Sequence, residues 1–181
     1  MATAGCTEGP YPTPASPTAP AVTLSSPPTS VQPGTITFEG LTSDGASVTS
    51  YEERGFTLRL SGGNWVAGMG YGNPRPFVQF TATGGTTAAG EAQLTGSGQT
   101  FSFQSVDVYA STTPIPYQIT GSRNGATVFT ISDRVPNTFG QFRTVSASDP
   151  AAVVDTLTIV LTNAAASCCS NPMGIDNIVI R

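Results

Sequence analysis

From residue 34 onward, apolar and polar side chains alternate along the chain with a period of two. Such alternation puts one set of side chains on each face of a β-strand. It predicts strands over 34–38, 51–60, 77–83, 99–110, 117–124, 127–133, 140–147, 155–162 and 174–181. Turn-forming clusters separate them: Ser43-Asp-Gly45, Gly84-Gly85, Thr95-Gly-Ser-Gly98, Arg123-Asn-Gly125 and Asp149-Pro150. Asn124-Gly125 stands between two alternating runs, which predicts a hairpin with a two-residue turn. No segment predicts a helix of consequence, and no internal repeat is evident. Short strands at this spacing predict an all-β fold, a jelly-roll β-sandwich over 34–181.

Residues 1–33 break the pattern. Eight of the fifteen prolines fall here, among Ser, Thr and Ala. Such a stretch prefers extended, polyproline-like conformations and cannot bury a core of its own. Composition alone reads it as a linker or a glycosylated stalk. Ordering it would cost roughly 1–2 kcal/mol per residue, so an ordered arm needs a surface to lie on. A neighbouring copy is one such surface, and an arm laid on a neighbour can hold a polymer together. The first functional expectation follows: an extracellular structural protein that assembles with copies of itself, through this extended Pro-rich N-terminal arm, into a fibre or surface layer.

Composition narrows the chemistry. The chain has 181 residues, enough for one domain with a real core, and only 10% are charged. There is no His and no Lys; all seven basic residues are Arg. Missing His removes the commonest general base and zinc ligand. Missing Lys removes Schiff-base chemistry and the phosphate-loop lysine. A net charge of −4 leaves no electrostatic footprint for nucleic acid, and no run of residues is apolar enough for membrane insertion. Met1-Ala-Thr-Ala-Gly5 carries neither a basic start nor an apolar run, so no leader is read there.

Cys6, Cys168 and Cys169 are the cysteines. Adjacent Cys168 and Cys169 could close a vicinal ring, or one of them could pair with Cys6 and staple the arm to the final loop. Reduced thiols are the third reading.

Two carboxylates stand at the chain's extremes. Glu39 ends the first predicted strand and Asp176 begins the last. A sandwich that pairs its first and last strands would bring them together. That is an arrangement for a bound cation, calcium by preference, because calcium accepts six to eight mixed carboxylate and carbonyl oxygens. The plainer reading makes Glu39 a surface charge and Asp176 a turn former. Asp107 is a third candidate, with its neighbours Val106 and Val108 toward the core and itself on the other face.

Trp65, the one tryptophan, lies in a glycine-rich stretch, 61–74, with Tyr71 and Asn73. Read as a loop, this is a platform on which a sugar ring could stack, with Asn73 as a hydrogen-bonding amide. Trp65 could equally plug one end of the sandwich. Glu52 and Glu53 are adjacent, so on a strand they point to opposite faces and do not form a catalytic pair. The chain is not expected to be an enzyme.

Four motifs in order carry a family resemblance: Phe38-Glu-Gly-Leu41, Tyr51-Glu-Glu-Arg-Gly-Phe56, Phe101-Ser-Phe-Gln-Ser-Val-Asp-Val-Tyr109 and Gly174-Ile-Asp-Asn-Ile178. This pattern resembles the jelly-roll domains of secreted bacterial PEP-CTERM-type proteins. It is also similar to calcium-stabilised carbohydrate-binding modules. The resemblance implies a secreted or cell-surface location and a structural calcium held by Glu39 and Asp176. It also supplies the alternative function, a carbohydrate-binding module engaging polysaccharide.

Overall fold

The computed structural model describes residues 32–70, 76–82, 88–163 and 171–181. Nearly all of the arm lies outside the described residues, as do Tyr71, Asn73, Gly84-Gly85, Cys6, Cys168 and Cys169. The described residues contain thirteen strands: β1 (Gly34–Ile36), β2 (Ser50–Glu53), β3 (Phe56–Ser61), β4 (Asn64–Gly68), β5 (Phe77–Ala82), β6 (Ala88–Thr95), β7 (Phe101–Ala110), β8 (Ile115–Arg123), β9 (Ala126–Val135), β10 (Arg143–Ser146), β11 (Val153–Val154), β12 (Thr156–Asn163) and β13 (Asn171–Ile180). One sheet runs β2-β3-β6-β12-β8-β9. The other runs β10-β7-β13-β5-β4, with β1 also on β13 and β11 also on β7. The chain crosses between sheets at β1–β2, β3–β4, β5–β6, β6–β7, β7–β8, β9–β10, β11–β12 and β12–β13, which makes the expected jelly-roll sandwich.

Alternation sets which face is buried. In β12, Leu157, Ile159, Leu161 and Asn163 point inward and the residues between them are half-buried. From the facing sheet, Trp65, Phe80, Phe103, Val106, Val108 and Ile175 complete the same core. β13 runs through the middle of its sheet, so even its outward residues Gly174 and Asp176 are buried. The first and last strands do pair, Gly34 opposite Ile180 and Ile36 opposite Ile178.

The expected single strand over 51–60 is instead a hairpin of β2 and β3. Its turn is Arg54-Gly55, with φ of 55° and 80°. Ser97-Gly98 and Asn124-Gly125 turn the same way, at 50° and 83° and at 51° and 77°. Paired left-handed residues match the twist of the strands they join.

β4 and β6 carry no clear sequence signal, for one physical reason. β4 was read as a glycine-rich loop, and β6, Ala-Ala-Gly-Glu-Ala-Gln-Leu-Thr, has weak strand propensity. Trp65 of β4 turns inward, 2% exposed, with its ring tilted on Phe80 at 5.3 Å. Those two rings fill the space above Gly90 of β6. A Cβ on Gly90 would lie 2.6 Å from Phe80 Cγ and 2.9 Å from Trp65 Cζ2. The small residues of β6 and the large ones of β4 and β5 are thus one packing solution.

A clasp joins the two sheets where the described chain begins. Glu53, at the end of β2, accepts the N–H groups of Thr37 and Phe38 at 3.0 and 3.2 Å. Arg54 Nε donates to the Thr35 carbonyl at 3.0 Å, and Gln32 N–H donates to the Arg54 carbonyl at 2.9 Å. The hairpin of one sheet thereby holds β1 of the other.

Gly90→Val should destabilise the fold by roughly 1–3 kcal/mol, the usual cost of overpacking a filled core. Urea denaturation measures this, and a near-native midpoint would show that Trp65 and Phe80 do not fill the space over β6.

Candidate functional site

Among the described residues every buried side-chain polar atom has a partner, and two features stand out from that background. The first is a carboxylate seam. β13 pairs with β5 as far as Ile175 opposite Val78, and with β1 from Ile178 opposite Ile36. Asp176 and Asn177 fall between the two partners. The ladder to β7 shifts register here, and Asn177 has a φ of 45°. A bulge of this kind re-aims the side chains around it.

Asp176, 1% exposed, lies directly across from Asp107 on β7. Asn177 N–H donates to Asp176 Oδ1 at 2.7 Å, and Asn177 Nδ2 donates to Asp107 Oδ2 at 2.9 Å. Thr144 Oγ1 donates to Asp107 Oδ1 at 2.6 Å. Burial pushes the Asp176 carboxyl up to about 7. The Asn177 N–H opposes that shift, and the charges of Asp107 and Glu53 add to it.

Of the expected pair, then, Asp176 meets Asp107 and feels Glu53. Glu39 sits in an exposed turn beyond β1, where its charge acts on the Tyr51 hydroxyl. Sequence reasoning missed Glu53 because only the Arg54-Gly55 turn folds it back onto β1. Among the described residues no three His, Cys, Asp or Glu side chains stand close enough to hold a metal. A buried Asp176 beside a half-buried Asp107 fits a divalent cation in charge, but carbonyl or water oxygens would have to complete its shell.

The second feature is a presented aromatic. Phe139 is 74% exposed at the tip of the β9–β10 connection, with a φ of 50°, followed by Gly140 at 82°. A left-handed φ costs a non-glycine residue roughly 1–2 kcal/mol and is unusual for a bulky one. The turn is fixed on both sides. Asn137 Oδ1 accepts Phe139 N–H at 3.1 Å, and Asn137 Nδ2 donates to the Thr112 carbonyl at 3.0 Å. Thr138 N–H donates to the Ala110 carbonyl at 3.0 Å, and Gln141 N–H to the Thr138 carbonyl at 3.0 Å. Beyond the tip, Phe142 packs edge-on against Tyr109 at 4.9 Å and Phe77 at 5.3 Å, on the outer face of the seven-stranded sheet. Tyr109 lies over Gly174, its cross-strand partner.

Of the two readings of Trp65, surface platform or packed plug, the structure shows the packed one. Trp65 Nε1 donates to the Ser61 carbonyl at 2.9 Å and its ring is covered, so it offers no face to a ligand. Among the described residues, Phe139 is the exposed ring. Its signal was available in Asn137-Thr-Phe-Gly140, a turn former, an aromatic and a glycine between two strands.

No protein-family model matches the chain, so the resemblance to PEP-CTERM-type proteins has no family match behind it, and no curated protein matches either. Among solved structures, the chain is similar to the carbohydrate-binding module TmCBM61 in complex with beta-1,4-galactotriose. The identity is 11% over 68% of this chain and 87% of that one, with a TM-score of 0.46. It is similar to the enzymatically active domain of tailspike protein 4 of bacteriophage CBA120, at 15% identity over 70% of this chain and 19% of that one, TM-score 0.44. A mutant GH29 fucosidase of Ruminococcus gnavus in complex with fucose is also similar, at 15% identity over 71% and 26%, TM-score 0.44. At these scores none of the three carries an argument about this chain; the fold rests on the sheets described above.

The Asp176 shift has a definite sign. A carboxyl whose folded pKa is raised contributes stability that is present below its unfolded value, near 4, and lost as pH rises through about 7. In metal-free buffer, stability should fall between those limits. Asp176→Asn should flatten that slope and leave the variant more stable than the parent above pH 7, by at most a few kcal/mol, since one pKa unit corresponds to about 1.4 kcal/mol. Urea midpoints across pH 4–8 test this, and parallel profiles for the two proteins would contradict it.

Proposed function

We propose that this chain is a non-catalytic carbohydrate-binding β-sandwich, acting outside the cell, whose ligand contact is Phe139. The observation that supports it is an aromatic ring held in solvent by a pinned turn at a strained φ. Strain of this kind at an exposed aromatic is a cost that the fold itself does not require. A sugar's C–H face stacks on such a ring.

The ligand class follows from the surroundings. Pro136-Asn-Thr-Phe-Gly-Gln-Phe142 carries no charge, and the chain as a whole is acidic and lacks Lys. That favours a neutral polysaccharide over an anionic one. Fibre assembly through the N-terminal arm depends on residues outside those described, and the ring at Phe139 supports the binding reading instead.

Phe139→Gly separates function from folding. It should remove binding to a neutral polysaccharide while leaving the melting temperature equal or slightly higher, because glycine tolerates the left-handed φ. Affinity electrophoresis against a polysaccharide panel, with calorimetric melting in parallel, reads both. Undiminished retention by the variant would end the case for Phe139.

A second reading concerns the carboxylate seam, where the buried Asp176 beside Asp107 supports a structural calcium. An ion bound only to the folded state stabilises it by mass action. Millimolar calcium at pH 7.5 should raise the melting temperature of the parent but not of Asp176→Asn. A parent melting temperature that is the same in calcium and in chelator would remove the ion from the account.

A further inference from the structure

We propose that β9 is a self-pairing edge through which two copies of this chain join antiparallel, merging their six-stranded sheets across a two-fold axis. The argument begins with how the other edges are closed. β2 and β10 are four residues each, too short to template a long ladder. The outer edge of β4 is covered by 45–48. There Gly45 N–H donates to the Ala67 carbonyl, Ala67 N–H to the Ala46 carbonyl and Val48 N–H to the Trp65 carbonyl. β1 and β11 are three and two residues.

β9 differs from all of these. It is ten residues long and ends the six-stranded sheet, and among the described residues it pairs only with β8. Proteins usually blunt such an edge with lysine, proline or charges. Residues 126–132 contain none of these, and the chain has no lysine anywhere. The one bulge against β8 falls near the turn, at Val128, where the register shifts between Gly121 and Ser122. Toward the other end only Arg134 N–H is taken by a side chain, Asp133 Oδ1 at 2.8 Å.

A second copy is the occupant because the strand complements itself in one register. Placing the axis at Thr130 sets Phe129 opposite Ile131 of the partner, twice over by symmetry. Both are half-buried at the rim of the core and packed against it. Val128, 44% exposed, then faces Ser132 of the partner subunit. The charged ends do not meet like charges: Asp133 faces Thr127 and Arg134 faces Ala126, so no repulsion opposes the ladder. The pairing uses neither the N-terminal arm nor Phe139.

The test is the mass of the intact chain by sedimentation equilibrium, from low to high micromolar concentration. The expected result is a concentration-dependent rise to twice the chain mass. Thr130→Lys sets two ammonium groups face to face on the axis, on an exposed position that the monomer tolerates. It should shift the dimerisation constant at least tenfold toward monomer, with an unchanged melting temperature. Hydrogen exchange gives a second readout, because β9 amides should gain protection with concentration in the parent and not in the variant. A parent that stays monomeric, and so keeps β9 for a different partner, overturns the proposal. So does a dimer that Thr130→Lys leaves intact.

Discussion

The sandwich depends on pairing both edges of β13, the buried strand in the middle of its sheet. A central strand buried on both faces cannot leave N–H and C=O groups unpaired, since each would lose its water without replacement. β7 covers one edge from Met173 to Asp176 and again at Val179 and Ile180. No single strand covers the other, so β5 and β1 share it. Ten residues of β13 thus join the two ends of the described chain, and the handover between partners falls at Asp176-Asn177. The Glu53 clasp serves the same constraint, because β1 has only three residues in the ladder and needs a second hold.

That constraint explains why a carboxylate sits where it costs most. At the handover the ladder breaks and the backbone bulges, and Asn177 spends its N–H on Asp176 and its amide on Asp107. Replacing water by these donors lowers the penalty of the buried charge without removing it, as the raised pKa of Asp176 shows. A purely structural filler would be apolar or neutral. The charge therefore asks for a proton or a cation, and the two are distinguishable because they have opposite dependence on pH.

Legibility followed side-chain size. Strands that carry their own bulky alternation, such as β12 and β7, were legible in the sequence, and so was the Asn124-Gly125 hairpin. β6 was not, because two of its three inward residues, Gly90 and Ala92, are small, Gly90 making room for the Phe80 and Trp65 rings. β4 was hidden by flanking glycines, and the same glycines suggested an exposed Trp65. Gly63 gives way to the Phe80 ring and Gly68 to the Phe77 ring, so these residues make room for aromatics. Glycine next to an aromatic reads the same whether it frees a loop or receives a ring, and only the facing sheet decides between them. For the candidate site, Asp176 and Asp107 were each legible as candidate carboxylates, but Asp176 was paired with Glu39 rather than with Asp107. Their adjacency depends on a register that no local pattern encodes.

Phe139 and Trp65 show how to separate a presented aromatic from a packed one. Trp65 satisfies its N–H on Ser61 and loses its surface to the core, so its hydrophobic gain is already spent on stability. Phe139 contributes almost no burial, adopts an unfavourable φ, and is fixed there by bonds from Asn137 and Thr138 that belong to its neighbours. A turn that only had to connect β9 to β10 could place glycine or asparagine at that position at lower cost. On the proposed binding reading, the ring is explained by what it can contact outside the molecule. Because the turn is already ordered, such a contact loses little entropy on binding, which is what allows a single aromatic to matter at a shallow site.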